Sequence, residues 1–350
     1  MRIAIDAMGG DFAPGNNLQG VQLALKQFPD IHKIILVGRE QEVRAGLADL
    51  GLTECDRLEV RPASQVVTMS DQPTTPLRKK KDSSITVTSR LLKEKEADAI
   101  ISAGHTGAAV AATVVQNRML THVDRPGIAG TFPSTKGRFI ALDVGANVDC
   151  KPLHLAQFAL LGEIYAELIM GLATPSVGVL SVGAEEGKGN ALTRESLELI
   201  NRHVPLQNFL GNVEGRDLFS GKVDVVICDG FVGNILLKTA EDLALSMASV
   251  LKRNLKKTPW RRLGALMSRR AFSELREITN HEEYGGAPLL GINGTCIIAH
   301  GSSSPKAIMN AFRVARAMLL KKINHEIEHR FAAIDWTAAG RPATSTPQVK

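Results

Sequence analysis

The sequence predicts an α/β protein built on a mostly parallel sheet. Short β-branched runs recur along the chain, and most of them end in a glycine turn. Helical periodicity then follows. At 350 residues the chain is also long enough to bury a large core, as two lobes or one sizeable domain. Strands alternating with helices imply right-handed βαβ units, and in such sheets ligands bind at the carboxyl ends of the strands. The glycine turns mark those ends, so they are expected to converge on one cleft.

The strand-and-turn units, in order, are RIAIDAMGGD from Arg2, KIILVGRE from Lys33, AIISAGHTGAA from Ala99, FIALDVGAN from Phe139, VGVLSVGAEEGKGN from Val177 and VDVVICDGFVGN from Val223. Helical patterns are expected at 16–28, 85–95, 106–119, 151–170, 190–201, 231–257 and 303–331. No repeat of fixed period is visible. The tail from Ala333 is rich in small and polar residues and is expected to fray, with Trp336 as a candidate anchor.

Composition excludes several classes. The net charge is +6, but eight basic residues fall within 252–270 with no acid among them; the remaining 34 basic residues face 36 acidic ones. The basicity is local, whereas nucleic-acid binding spreads it over a face, so no nucleic acid is expected. Cys55, Cys150, Cys228 and Cys296 are far apart with no CxxC pair. This argues for a reducing compartment and against a disulfide framework or zinc ribbon. The start, MRIAIDAM, reads as a strand rather than a signal peptide. The most apolar long segment, 153–173, carries Glu163 and Glu167 and reads as a buried helix. The expected location is cytoplasmic.

Three motifs are near misses. GKGNAL lacks the third glycine of a dinucleotide fingerprint. GAEEGKGN resembles a P-loop, but its first two glycines are too close, and Gly189 stands where a Ser or Thr would hold magnesium. HEIEH at 325–329 fits a zinc-protease pattern. Yet Phe312, Leu319, Ile323 and Ile327 mark the buried stripe, and His325 lies about 200° from Ile323 around the helix. No metal and no cofactor are expected.

The glycine turns themselves carry the chemistry. After an apolar strand, Gly187, Lys188 and Gly189 precede a helix starting near Ala191 with Asn190 as its cap. Freed amides and the helix dipole favour an anion there, and Lys188 adds a point charge. Gly9 and Gly10, then Gly104, His105, Thr106 and Gly107, then Asn147, then Asp229 and Asn234 repeat the arrangement. Several such turns on one sheet edge suggest a phosphate-rich ligand. Arg78, Lys79, Lys80 and Lys81 precede Ser83 and Ser84, either as an acidic-partner or phosphate landing site or as a simple helix start.

Six segments in register, IAIDAMGGD, SAGHTGA, LDVGANVDCKPLHLAQFALLG, GAEEGKGN, CDGFVGNILLK and YGGAPLLGINGTCIIAHGSS, together resemble the bacterial acyl-carrier-protein:phosphate acyltransferase family over residues 1–330. The resemblance implies a three-layer α/β/α sandwich similar to phosphotransacetylases and to isocitrate and isopropylmalate dehydrogenases. It also implies a homodimer, peripheral at the membrane. One catalytic domain over 1–332 is expected, with a helical protrusion at about 245–284 and a flexible tail at 333–350. The implied reaction moves a fatty acyl group from acyl carrier protein to inorganic phosphate. The product, acyl phosphate, would feed a membrane glycerol-3-phosphate acyltransferase. The family's lysine in GKGN and asparagine in GFVGN fall on Lys188 and Asn234. The family commonly has Asn at the position of His105 and His at the position of Phe12.

Such a reaction asks little acid–base help, because a thiol of pKa about 8.5 leaves readily. It requires placement and charge, which fits the absence of a GxSxG elbow or a Cys–His pair. The basic segment 252–270 mixes its cations with Trp260, Leu263, Leu266 and Met267, as interfacial helices do. Docking of an acidic carrier protein is the rival use. Alternatives for the whole chain are a phosphotransacetylase acting on acyl-CoA and a non-catalytic membrane organiser of lipid enzymes.

Overall fold

The computed structural model describes residues 1–279 and 284–340. Eleven strands form one sheet: β1 (Arg2–Asp6), β2 (Lys33–Gly38), β3 (Leu58–Pro62), β4 (Ala99–Ser102), β5 (Gly127–Ser134), β6 (Gly137–Leu142), β7 (Val177–Leu180), β8 (Phe209–Val213), β9 (Val225–Ile227), β10 (Ala287–Leu290) and β11 (Thr295–Ile298). The helices are α1 (Gly15–Gln27), α2 (Glu40–Asp49), α3 (Thr75–Arg78), α4 (Ser84–Lys93), α5 (Thr106–Asn117), α6 (Pro152–Tyr165), α7 (Ala191–His203), α8 (Gly215–Leu218), α9 (Gly230–Leu255), α10 (Pro259–Met267), α11 (Arg269–Thr279), α12 (Pro305–Leu320) and α13 (Ile323–Ala332).

The strand order is β3-β2-β1-β4-β11-β10-β5-β6-β9-β7-β8. The first five strands in that order are mutually parallel, as are the last four. Between them β10 is antiparallel to both β11 and β5, and β5 is antiparallel to β6. The two parallel blocks therefore run in opposite directions, and their carboxyl ends leave the sheet at opposite edges. The single convergence of glycine turns expected from the sequence becomes two groups. Period-2 and period-3.6 patterns locate strands and helices but carry no information on relative strand direction.

Both faces of the sheet are covered. Ile3, Ile5, Ile34 and Leu36 face a core that includes Leu18 and Val21 of α1, Phe158 of α6, Phe312 of α12 and Ile327 of α13. Ala4, Ile35, Val37 and Ile100 face the opposite core with Val87 and Leu91 of α4. This is why runs such as KIILVG are apolar throughout instead of alternating.

In α6 every residue from Leu153 on is buried. The segment Pro152–Met170 has the length and hydropathy of a membrane span, at a mean of 1.3, but 78% of it is inside the protein, so it is the core helix expected from the sequence. Its buried Glu163 pairs with Arg330 of α13 and accepts the Gln207 amide at 2.8 Å, while Arg330 also reaches Glu167 at 2.9 Å. A buried carboxylate is tolerable only with such partners.

Two terminal expectations change. The helix expected over 303–331 is broken at Lys322, whose φ of +50° separates α12 from α13. Past Ala332 the chain still packs on the body: Trp336 is 2% exposed, stacks on Phe331 at 5.1 Å and donates its indole N–H to the Phe331 carbonyl at 2.9 Å. Residues 341–350 of the expected tail lie outside the described residues. On the HEIEH helix, Ile323 and Ile327 are buried and His325 and His329 are exposed.

Helix α9 buries only Gly230 and Gly233, and among the described side chains of residues 241–274 none is buried. Residues 280–283, at the end of the expected 245–284 segment, lie outside the described residues.

Replacing Trp336 by alanine should cost about 3 kcal/mol or more, because a fully packed aromatic and its hydrogen bond are removed together. Urea unfolding of the variant measures this. An unchanged midpoint would show that the 333–340 strap contributes nothing.

Candidate active site

In the block β6-β9-β7-β8 the residues Leu142, Ile227 and Val179 lie side by side in register. The loops that follow them share one edge of the sheet. They carry Asn147, then Asp229 with Asn234, then Gly187, Lys188 and Gly189. Four hydrogen-bonding or charged residues singled out in the sequence, Lys188, Asn234, Asn147 and Asp229, are thus on neighbouring loops.

The first loop is organised by a residue the sequence reading did not select. Asp143 is fully buried and accepts five N–H donors. Oδ1 takes the amides of Ile128, Gly145 and Ala146 at 2.9 to 3.0 Å. Oδ2 takes the Asn147 amide at 2.7 Å and the Asn147 side-chain amide at 2.9 Å. Burial pushes the Asp143 pKa up, and the donors oppose that shift. Asn147 also donates to the Pro126 carbonyl at 2.6 Å, so its amide nitrogen is committed to the loop. The signal was present as an aspartate between an apolar strand and a glycine, in IALDVG and again in IAIDAM.

The second loop packs directly on the first. The Gly230 amide donates to the Asn147 carbonyl at 2.7 Å. A Cβ at Gly233 would stand 1.9 Å from the Asp143 carbonyl oxygen, so only glycine permits this approach. Asp229 caps α9 by accepting the Val232 amide at 2.8 Å. Asn234, in the first turn of α9, lies over Gly145. Cys150 and Cys228 are held here as neutral thiols. Burial, with the nearby Asp143 and Asp229 charges, raises Cys150 to about 12 and Cys228 well above its ordinary value. Neither is an activated nucleophile.

The third loop ends where α7 begins. Asn190 caps it by accepting the Thr193 amide at 2.9 Å, as expected from the sequence. Lys188 and Asn234 are exposed. Among the described residues neither side chain is engaged in a hydrogen bond or ion pair. The edge therefore presents one exposed positive charge and one exposed carboxamide, with the exposed carboxylates of Glu185 and Glu186 on the same loop as Lys188.

The remaining turn residues are on the opposite edge. Asp6 at the end of β1 is buried, which raises its pKa, and it accepts the Ser102 hydroxyl at 2.9 Å and the Met8 amide at 3.2 Å. Gly9 packs against Gly104, and Gly10 against the Gly301 carbonyl. His105 is the N-cap of α5: its Nδ1 accepts the Ala108 amide at 3.3 Å, ahead of exposed Thr106 and of Gly107. Phe12 is exposed. Gly9, Gly10, Gly104, His105, Thr106 and Gly107 thus form a group separate from Lys188 and Asn234.

Of the basic run, Lys80 pairs with Asp71 at 2.6 Å and donates to the Val66 carbonyl at 2.8 Å. Arg78, Lys79 and Lys81 are exposed. Ser83 does not cap α4 with its side chain; its hydroxyl contacts the Thr86 hydroxyl at 2.8 Å. On α10, Trp260 is 81% and Met267 80% exposed, with Leu263 and Leu266 also open to solvent.

Asp143→Asn should lose about 3 kcal/mol or more of stability, because an amide nitrogen would face donors and leave buried N–H groups unpaired. Equilibrium denaturation checks this. A variant as stable as the parent would remove Asp143 as the organiser of the loop.

A model of the fatty acid synthesis protein family matches residues 1–326. A protein named phosphate acyltransferase from Citrifermentans bemidjiense is 48% identical over 324 residues, 93% of this chain and 91% of that protein. One of the same name from Pelotomaculum thermopropionicum is 44% identical over 341 residues, 97% and 98% of the two chains. Among solved structures, a phosphotransacetylase from Streptococcus pyogenes superposes with a TM-score of 0.61 at 18% identity, covering 91% of this chain and 94% of that one, which shows a shared fold. By sequence over nearly its whole length, the chain belongs to the fatty acid synthesis protein family, the phosphate acyltransferase family that its motifs resemble.

Proposed function

We propose that this protein moves a fatty acyl group from the thioester of acyl carrier protein to inorganic phosphate, releasing acyl phosphate for phospholipid synthesis. The observation that carries the reading is the pairing of Lys188 and Asn234, uncommitted and exposed on neighbouring loops, in a chain whose relatives are named phosphate acyltransferase.

A phosphate oxygen attacks the thioester carbonyl, the C–S bond breaks, and the pantetheine sulfur departs as a thiolate. Lys188 and the amides at the start of α7 hold the phosphate in line with the carbonyl. Asn234 donates to the charge that builds on the reacting oxygens. No covalent enzyme intermediate is needed, in keeping with the neutral thiols beside the site. Arg78, Lys79 and Lys81 offer cations to the acidic carrier protein, whereas Lys80 is spent on Asp71.

The protein acts as a cytoplasmic homodimer held at the membrane surface by the protruding helices α9 to α11, near the glycerol-3-phosphate acyltransferase that consumes its product. A cation near an anionic leaflet contributes about 1 kcal/mol, so half of the eight in 252–270 would supply about 4 kcal/mol. Trp260, Leu263, Leu266 and Met267 add apolar insertion.

Lys188→Ala and Asn234→Ala should each lose about 10² to 10³ in turnover with unchanged unfolding midpoints. Near-normal turnover in both would reject the site. Supplying the acyl group on carrier protein and then on coenzyme A, with phosphate in each case, tests the donor; faster turnover with acyl-CoA would make the protein a phosphotransacetylase. Trp260→Ser combined with Leu263→Glu should abolish sedimentation with anionic liposomes. Unchanged sedimentation ends the membrane assignment, and lost turnover with intact lipid binding would turn the patch into a carrier dock.

A further inference from the structure

The loop Gly183–Gly189 rests on the end of β8. Asn212, 5% exposed, donates its side-chain amide to the carbonyls of Glu185 at 2.8 Å and Lys188 at 3.4 Å. Glu214 accepts the Ala184 amide at 3.2 Å. Asn212 of the edge strand β8 and Glu214, just past its end, therefore hold the loop that presents Lys188.

Two atoms beneath this loop are unpaired. Among the described residues, Ser181 Oγ and Asn212 Oδ1 are the buried side-chain polar atoms without a hydrogen-bond partner. Both lie at the carboxyl end of the β7–β8 pair. Asn212 pairs with Val179 across β7 and β8, and Ser181 lies two residues beyond Val179, so both side chains emerge on the same face. Ser181 Oγ also lies 2.8 Å from where a Cβ of Gly189 would stand, directly under the residue after Lys188. Gly189 has φ of +104° and a Cβ there would meet Thr193 Oγ1 at 2.1 Å, so the turn is specific to glycine.

A buried hydroxyl and a buried amide oxygen left unpaired destabilise the fold, and native structures keep few such atoms. Both lie against the loop, Ser181 under Gly189 and Asn212 under Glu185 and Lys188, so a small downward movement of the loop would bring its backbone groups onto them. We propose that Ser181 and Asn212 are positioning residues for Lys188. When Lys188 grips phosphate, the loop settles onto the sheet and its own backbone groups pair with Ser181 Oγ and Asn212 Oδ1. The bonds from Asn212 to the Glu185 and Lys188 carbonyls then fix the backbone that aims the lysine. This rests on the reading that Lys188 holds phosphate.

The test is steady-state kinetics of the full chain with inorganic phosphate as the varied substrate, on Ser181→Ala, Lys188→Ala and the double variant. Ser181→Ala removes no bond present in the structure, so its unfolding midpoint should stay equal or rise. Its KM for phosphate should rise about five- to tenfold, with the KM for the acyl donor unchanged. In the Lys188→Ala background the serine substitution should have no further effect, because it acts through the lysine. An unchanged phosphate KM in Ser181→Ala, or the same fold-change in both backgrounds, overturns the proposal while leaving Lys188 as the phosphate ligand. A Lys188→Ala variant with parental turnover and phosphate KM overturns both.

Discussion

Two antiparallel strands in the middle of the sheet, β10 and β5, decide where the functional loops of this molecule point. Each closes its ladder with neighbours that run the other way, and together they reverse the direction of half the sheet. Without that reversal all the glycine turns would leave one edge. With it, the turns divide into a group around Asp6 and a group around Asp143. Every statement about the site follows from which group a residue belongs to.

Within each group a buried carboxylate plays the same part. Asp143 gathers five donors and Asp6 accepts a hydroxyl and a loop amide. A loop that folds back on its own strand end frees amides that cannot all reach one another, and a carboxyl side chain at that point accepts from several at once. The side chains that look most polar in the sequence, Asn147, Asp229 and His105, are consumed in this internal pairing. Of the residues singled out on the edge around Asp143, Lys188 and Asn234 keep their side chains uncommitted.

Helix α9 links the site to the periphery. Asn234 lies in its first turn, and its 26 residues span about 39 Å at 1.5 Å per residue. Its start is anchored by the buried Gly230 and Gly233 and by Leu236, Leu237 and Ala240 packed on the core, whereas from Glu241 on none of its side chains is buried.

Much was legible in the sequence because it rests on local physics. The alternation of apolar strands with helices, the cap at Asn190, the buried nature of α6 despite its hydropathy, and the buried stripe of α13 all follow from periodicity and side-chain chemistry within a few residues. The six motifs identified the family on the same footing. What those patterns could not hold was anything set by contacts distant along the chain. The reversal of the sheet depends on β10, at residues 287–290, entering beside β5, at 127–134. The selection of Asp143 over Asp229 as the loop organiser depends on burial, and the pairing of Lys80 with Asp71 depends on how one loop folds back. The strap under Trp336 and the unpaired Ser181 and Asn212 are likewise tertiary. Sequence spacing determined which residues could carry charge or donate; only the packing of strands far apart in the chain decided which of them still had that capacity to spare.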